Sequence, residues 1–431
     1  MNILLVNPPN SGKSIPEEEF GITNIKTIFR GAPHSLEVIA GPLKNHQLTL
    51  ADLKVEPDSL WDKISNTNPD IIAFTAMTCE ANRVDQLAKE IRKKIETKIV
   101  IGGIHASLSP DFFYNDNFDY IVTGLGKDSF RELVKSIELK NYNKHIPGII
   151  NVRPKIPFKL NVKKFSKSDL IDDILPDYNI SKQFRNQYVM GAKGNKVGFV
   201  STASGCTHRC SFCSVPSLTN GKYITHSVEY ILKCIEKLHD IKLIRLVDAN
   251  TFGDINIARI LAKEIINLKI NKNFIADIRP DTVVKHPKLL ELWKNAGLST
   301  VIIGFEEISD SKLDFFNKKT KVSTNIKALE ILRKTGIKVI GDFIISPDYS
   351  CADFENLEHF ITKHNIDLPM PSIFTPIPGT PVYKELKDKI TTTNLDYYTF
   401  TNAVMPTKLD TYEFYTKYAN LLEKFLKNIK L

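Results

Sequence analysis

The chain opens on Ile3-Leu4-Leu5-Val6, a short apolar run stopped by Asn7-Pro8-Pro9, and the same unit recurs through the first third of the sequence. Strands are expected at Ile3–Val6, Leu48–Ala51, Ile71–Thr75, Ile99–Ile101 and Tyr120–Thr123, all too short for helices and mostly rich in β-branched residues. Between them the period lengthens, as in Ala81–Ile95, where Val84, Leu87, Ala88 and Ile91 share one helical face. Continuous apolar strands alternating with amphipathic helices describe a parallel sheet covered on both faces. Residues 1–138 are therefore expected to form an α/β, doubly wound, five-stranded domain. Residues 139–195 break the alternation with Pro147, Pro154, Pro157 and Pro176 and read as a wrapping connector. A second alternation follows, with strands at Val197–Ser201, Ile241–Val247, Phe274–Asp277, Thr300–Gly304, Lys338–Ile345 and Ser372–Phe374. Helices such as Ser227–His239 and Thr324–Thr335 lie between them. Six such units predict a partial (β/α)6 barrel over 196–380, and a Tyr- and Phe-rich helical tail, 381–431, ends in a helix near Tyr412–Asn428.

In both architectures ligands sit at the carboxyl ends of the strands. In the first domain those ends carry Asn7-Pro8-Pro9, Thr75-Ala76-Met77-Thr78 and Gly102-Gly103-Ile104-His105-Ala106, loops suited to close backbone approach. No G-x-G-x-x-G follows the first strand, so a dinucleotide fingerprint is missing. At 431 residues the chain is too long for a lone binding module, and no apolar run approaches the ~18 residues of a membrane span. The start has no basic n-region or long apolar h-region, so a cytoplasmic protein is expected.

Charge refines this only regionally. The 58 basic and 49 acidic residues leave +9, and between Lys140 and Val228 fourteen Lys or Arg face only Asp169, Asp172, Asp173 and Asp177. A stretch so basic suits phosphates, nucleic acid or an anionic membrane surface. It lacks the interleaved aromatics of a nucleic-acid motif, so a solvated connector is the expected reading and no nucleic acid is expected.

Six cysteines are too few for a disulfide scaffold, and three fall within eight residues: Cys206, Cys210 and Cys213, C-x3-C-x2-C on the loop after the first barrel strand. Three thiolates do not close a tetrahedral zinc site, and His208 lies awkwardly between two of them. A four-iron cubane held by three cysteines leaves one iron open; zinc binding or a chance triad are the alternatives.

The spacing, the loop and the aromatic Phe212 before the third cysteine strongly resemble the radical S-adenosylmethionine (SAM) superfamily. The resemblance implies a [4Fe-4S] cluster on the three cysteines, with the open iron chelated by SAM, whose reductive cleavage yields a 5′-deoxyadenosyl radical. It assigns SAM contacts to later strand ends: Asp248 and Asn250 in Val247-Asp248-Ala249-Asn250-Thr251-Phe252, similar to V-D-D-N-x-F with one acid replaced; Asp277 and Arg279; and Glu306 after Gly304-Phe305. The preceding domain then resembles the cobalamin-binding (Rossmann-like) domain of class B radical methylases. That resemblance places cobalamin against Asn7, Pro8, Thr75, Met77, Thr78, Gly102, Gly103, His105 and Gly124, and the absence of D-x-H-x-x-G implies no histidine on cobalt from that motif. Gly124-Leu125-Gly126-Lys127 departs from the usual G-E-G-E. The tail motifs Thr375-Pro376-Ile377-Pro378-Gly379-Thr380 and Leu395-Asp396-Tyr397-Tyr398-Thr399-Phe400, with Ala403 to Leu409, resemble hopanoid C-3 methylases. The implied activity is methylation of an unactivated carbon, the methyl passing from SAM through methylcobalamin. A non-methylating cobalamin enzyme of ring formation or rearrangement, and a cobalamin-binding regulatory protein, are the rivals. Implied partners are a lipid, peptide or small-molecule substrate, a one-electron reductant such as flavodoxin or ferredoxin, and, as an option, a membrane surface. No general acid or base is assigned.

Overall fold

The computed structural model describes residues 1–22, 29–142, 145–153, 158–161, 163–190 and 194–426. Pro154 and Pro157 of the connector, and residues 427 and 428 of the expected last helix, lie outside them.

The first sheet contains β1 (Asn2–Asn7), β2 (Gln47–Asp52), β3 (Ile71–Thr75), β4 (Lys98–Gly102), β5 (Tyr120–Val122) and β6 (Ile149–Asn151) in the order β2-β1-β3-β4-β5-β6. The first five are parallel; β6, supplied by the connector stretch, runs antiparallel to β5 at the edge. Successive residues of β1 feed opposite cores. Leu4 and Val6 pack with Ile72, Phe74, Ile99 and Ile101 beneath the helix Ala81–Arg92, whereas Ile3 and Leu5 join Ile71, Ala73 and Val100 beneath His34–Ala40 and Lys127–Glu138. This is why the strands read as unbroken apolar runs.

The second sheet takes β7 (Asn195–Val200), β8 (Leu243–Leu246), β9 (Asn273–Asp277), β10 (Leu298–Glu306), β11 (Lys338–Ile345) and β12 (Leu368–Ile373) in chain order, all parallel. Beyond β7 the pairs Val189–Met190 and Phe29–Arg30 add two short antiparallel strands. The helices Val228–Lys237, Ile255–Asn267, Pro287–Asn295, Val322–Thr335 and Cys351–Lys363 cover the outer face in one large core, joined by the tail helix Thr411–Leu426. The inner face carries an apolar floor, Ile275, Ile302, Ile340 and Leu368, and a separate apolar mouth, Phe316, Ile344, Phe374 and Val382.

The strands stand where the hydrophobic pattern places them, except the last. Ser372–Phe374 was expected and Leu368–Ile373 is observed, because Pro369 and Pro371 argue against a strand. As an edge strand, β12 pairs only with β11, and residues 369, 371 and 373 turn their amide positions to its open side. Two of these are prolines with nothing to donate, and Ile373 N–H donates to the Phe400 carbonyl at 2.7 Å.

Candidate active site at two facing strand ends

In the first domain, a cavity of about 340 Å³ opens between the sheet and its two helices on the β1 Ile3/Leu5 side. Thr75, Met77, Gly102, Gly103 and Gly124 line it, with Ala73, Val100, Val122 and Phe130 as apolar wall. Leu218, from the helix Val215–Leu218 just after Cys213, closes it from the barrel side. A Cβ on Gly102 would meet nothing nearer than Val122 at 3.7 Å, so glycine here leaves open volume. The lining is deep, apolar and edged by backbone, which fits the nucleotide tail of cobalamin.

Other residues of the expected set are not in this cleft. Asn7 and Pro8 are at the buried end of β1, where Asn7 Nδ2 donates to Asp52 Oδ1 at 2.7 Å and the Tyr188 hydroxyl donates to Asp52 Oδ2 at 2.7 Å. Thr78 is buried outside the lining. His105 packs into the other core, its ring edge-on to Phe112 and Phe113 at centroid distances of 5.2 and 5.6 Å. Neither ring nitrogen has a hydrogen-bond partner among the described residues, and burial holds its pKa down to about 4. The loop is polar in sequence, but the short helix Ile104–Leu108 turns His105 away from the cavity.

In the barrel, Gly205 begins the cysteine loop at φ 88°, where an added Cβ would lie 1.9 Å from the Lys222 carbonyl. Only glycine lets the backbone pass there. The loop is fastened at several points: Ser211 N–H donates to Phe316 O at 3.0 Å, Asn317 Nδ2 to Arg209 O at 2.8 Å, and Val382 N–H to Ser211 O at 3.1 Å. Phe212 packs edge-on to Phe316 in the apolar mouth. Burial pushes the Cys213 thiol up to about 11 and raises that of Cys210, where Lys318 and Arg279 oppose the effect. Among the described residues no three His, Cys, Asp or Glu side chains converge on one ion position. Three thiolates on one loop fit a cubane, in which each cysteine takes a different iron.

The later strand ends meet this loop. Asn250 Nδ2 donates to Thr207 Oγ1 at 3.1 Å, and its buried Oδ1 has no partner among the described residues. Arg279 donates through Nε to Asp281 at 2.8 Å and through an Nη to Lys318 O at 2.9 Å. Glu306, at φ 63° and a register shift between β10 and β11, curls back over Gly304 to accept from Lys318 Nζ at 2.6 Å. A side chain on Gly304 would occupy the Glu306 carboxylate position. Asp248 is different: both its oxygens are occupied by Thr202 N–H and Oγ1, Ala203 N–H and Ser201 Oγ, at 2.6–3.1 Å. It ties the end of β7 to β8 instead of presenting a free carboxylate to a ligand.

Two residues escaped the sequence reading. Lys318 is buried beside Cys210 and Glu306, and Asp342 stands on the inner face of β11 between Ile340 of the floor and Ile344 of the mouth. Asp277 has Arg245, with contacts of 3.2 Å, and Glu306 has Lys318, whereas among the described residues no hydrogen bond joins Asp342 to a cation. Burial, with Glu306 and Asp277 nearby, pushes its pKa up to about 8; Asp277 is raised to about 6 by burial against Arg245. Only spacing along β11 could have flagged Asp342, a lone acid in an apolar strand.

Comparison with known proteins agrees with both halves. A B12 binding domain profile matches residues 22–134 and a Radical SAM superfamily profile matches residues 200–361. The chain is 25% identical over 398 residues to the hopanoid C-3 methylase of Methylococcus capsulatus, covering 90% of this chain and 75% of that one. It is 26% identical over 383 residues to the anaerobic magnesium-protoporphyrin IX monomethyl ester cyclase of Rubrivivax gelatinosus, covering 86% and 68%. The solved structure of the radical SAM methyltransferase TsrM from Kitasatospora setae superposes with a TM-score of 0.70 at 18% identity, over 90% of this chain and 74% of that one. The chain thus carries a B12-binding domain followed by a radical SAM domain, the arrangement in which it resembles cobalamin-dependent radical SAM enzymes.

Proposed function

We propose that the chain is a cobalamin-dependent radical SAM methyltransferase acting on an unactivated carbon of a small-molecule substrate. Residues 1–138 hold cobalamin, 139–195 connect, 196–380 form the radical SAM barrel and 381–431 the tail. The observation that carries the reading is that Leu218, five residues after Cys213, lines the 340 Å³ cleft, which puts the short helix following the cysteine loop at the edge of the proposed cobalamin site. When bound, the cluster with SAM supplies a 5′-deoxyadenosyl radical and the cobalamin a transferable methyl group.

The chain's own residues bind and orient. Cys206, Cys210 and Cys213 would hold a [4Fe-4S] cluster with SAM beside it. Lys318 and Arg279 place positive charge beside the carboxylate end, the unpartnered Asn250 Oδ1 accepts from a donor, and Glu306 accepts from ribose hydroxyls. Thr75 and Met77 edge the cobalamin cleft. Phe212, Phe316 and Phe374 exclude water from the mouth. A flavodoxin or ferredoxin supplies the electron. No helix among the described residues is long and apolar enough to cross a membrane, and a cytoplasmic location is proposed.

The cyclase relative favours a second reading, a cobalamin enzyme that forms a ring without methylating. The two separate on their nucleoside products with a competent substrate. Methylation yields 5′-deoxyadenosine and S-adenosylhomocysteine in near equal amounts; deoxyadenosine alone over many turnovers would move the assignment to the second reading.

A further inference from the structure

Lys127 stands where the resemblance called for an acid, and its surroundings are unlike those of a surface lysine. The side chain is buried, and its ammonium donates to three carbonyls of one connector turn: Leu170 at 2.8 Å, Ile171 at 2.8 Å and Ile174 at 2.7 Å. It also lies 5.3 Å from the Tyr230 ring centre. Three tetrahedral N–H donors meet three converging acceptors, an arrangement that suits an ammonium and not a carboxylate. Ile171 is held at φ 50°, a conformation a β-branched residue adopts only when its surroundings impose it.

This turn joins the two halves. On the cleft side, Gly124, Leu125 and Gly126, immediately before Lys127, line the cavity, and a Cβ on Gly124 would come within 2.7 Å of the Phe165 ring. Lys163 bridges Asp128 and Asp169 at 2.6 and 2.8 Å, holding the same turn to the first turn of the helix Lys127–Glu138. On the barrel side, Asp172 lies 2.6 Å from His226 Nδ1 and accepts from Ser227 N–H at 2.6 Å, where Ser227 caps the first barrel helix. His226 N–H then donates to Thr202 O, and Thr202 is the residue gripped by Asp248 ahead of the cysteine loop.

We propose that Lys127 is a positioning residue: by pinning the 170–174 turn it fixes the lip of the cobalamin cleft relative to the cysteine loop. The consequence rests on the function proposed above: the two cofactors are kept at one separation.

The test uses the full chain with Lys127→Met and, as a variant that leaves the ammonium in place, Asp172→Asn. In cofactor-free protein, amide hydrogen exchange at 170–174 and 226–228 should quicken at least tenfold in Lys127→Met, with Asp172→Asn affecting 226–228 alone. In reconstituted protein, pulsed electron paramagnetic resonance between the reduced cluster and cob(II)alamin should give one narrow distance in the parent and a broadened distribution in Lys127→Met, at unchanged iron and cobalamin content. Unchanged exchange, or faster exchange with an unchanged distance distribution, would reduce Lys127 to a packing role and overturn the proposal. If Lys127→Met does not fold, the same readings on Lys127→Gln, which is shorter, uncharged and keeps only two N–H donors for the three carbonyls, decide. Should the parent bind no cobalamin, the proposed function falls, while the exchange comparison still judges the clamp.

Discussion

Gly102 and Gly103 are adjacent, yet they are glycine for different reasons. Gly103 has φ 96°, and a Cβ there would lie 2.6 Å from Thr75 Oγ1 and 2.7 Å from Ala76 N, so any substitution strains the loop whatever is bound. Gly102 lacks that constraint, so Gly102→Val should fill the cleft without breaking the fold. Reconstituted Gly102→Val is expected to lose most of its cobalamin and keep its iron, whereas His105→Phe should keep both. His105→Phe should also be more stable by about 1–3 kcal/mol, since two unpartnered buried ring nitrogens disappear. With its folded pKa held near 4, His105 binds fewer protons folded than unfolded between about pH 4 and 6.5. Stability therefore falls as pH drops through that window, and the fall should shrink in His105→Phe thermal melts. Asp342 has the opposite sign. Its folded pKa of about 8 keeps a proton that the unfolded chain releases near pH 4, so its contribution is lost as pH rises between those values. Asp342→Asn should leave Tm nearly unchanged at pH 4 and raise it progressively towards pH 8. A gap that did not widen with pH would place an ionised Asp342 in the barrel.

At the scale of elements, the cysteine loop depends on how β7 and β8 end. The hydrophobic pattern locates both strands, but the carboxylate at the end of β8 organises the turn after β7, across 46 residues of sequence. Asp248→Ala would leave the Thr202 and Ala203 amides without an acceptor, costing about 2–4 kcal/mol. Urea unfolding should show that loss, and reconstitution should show lower iron retention with cobalamin unchanged. Equal iron content in a folded Asp248→Ala protein would mean that the Ser211, Asn317 and Val382 bonds alone hold the loop. The same distinction explains β12. Its prolines speak against a strand locally, and only its place at the sheet edge makes them tolerable.

In the whole molecule, the loop after β1 and the aromatic tail are held together by contacts that neither pattern nor composition singles out. Lys13 N–H donates to Asp396 O at 2.7 Å, Asn402 accepts from Ile15 N–H at 2.8 Å and donates to Lys13 O at 2.9 Å, and Phe20 packs on Tyr412 and Tyr415. The loop after β1 is thus strapped by the tail, nearly 400 residues away. The sequence alone determined the two alternations, the order of the strands' chemistry and the cysteine triad, because periodicity and spacing are local and survive without knowledge of neighbours. Tertiary structure decided which strand-end side chains line a cavity and which are already partnered. It turned His105 into a core, saturated Asp248, paired Glu306 with Lys318 and isolated Asp342. It also made Lys127 a link between the halves. Most of these outcomes depend on partners 12 to 103 residues distant, and the chain carries no local signal for a contact that exists only once both elements have packed.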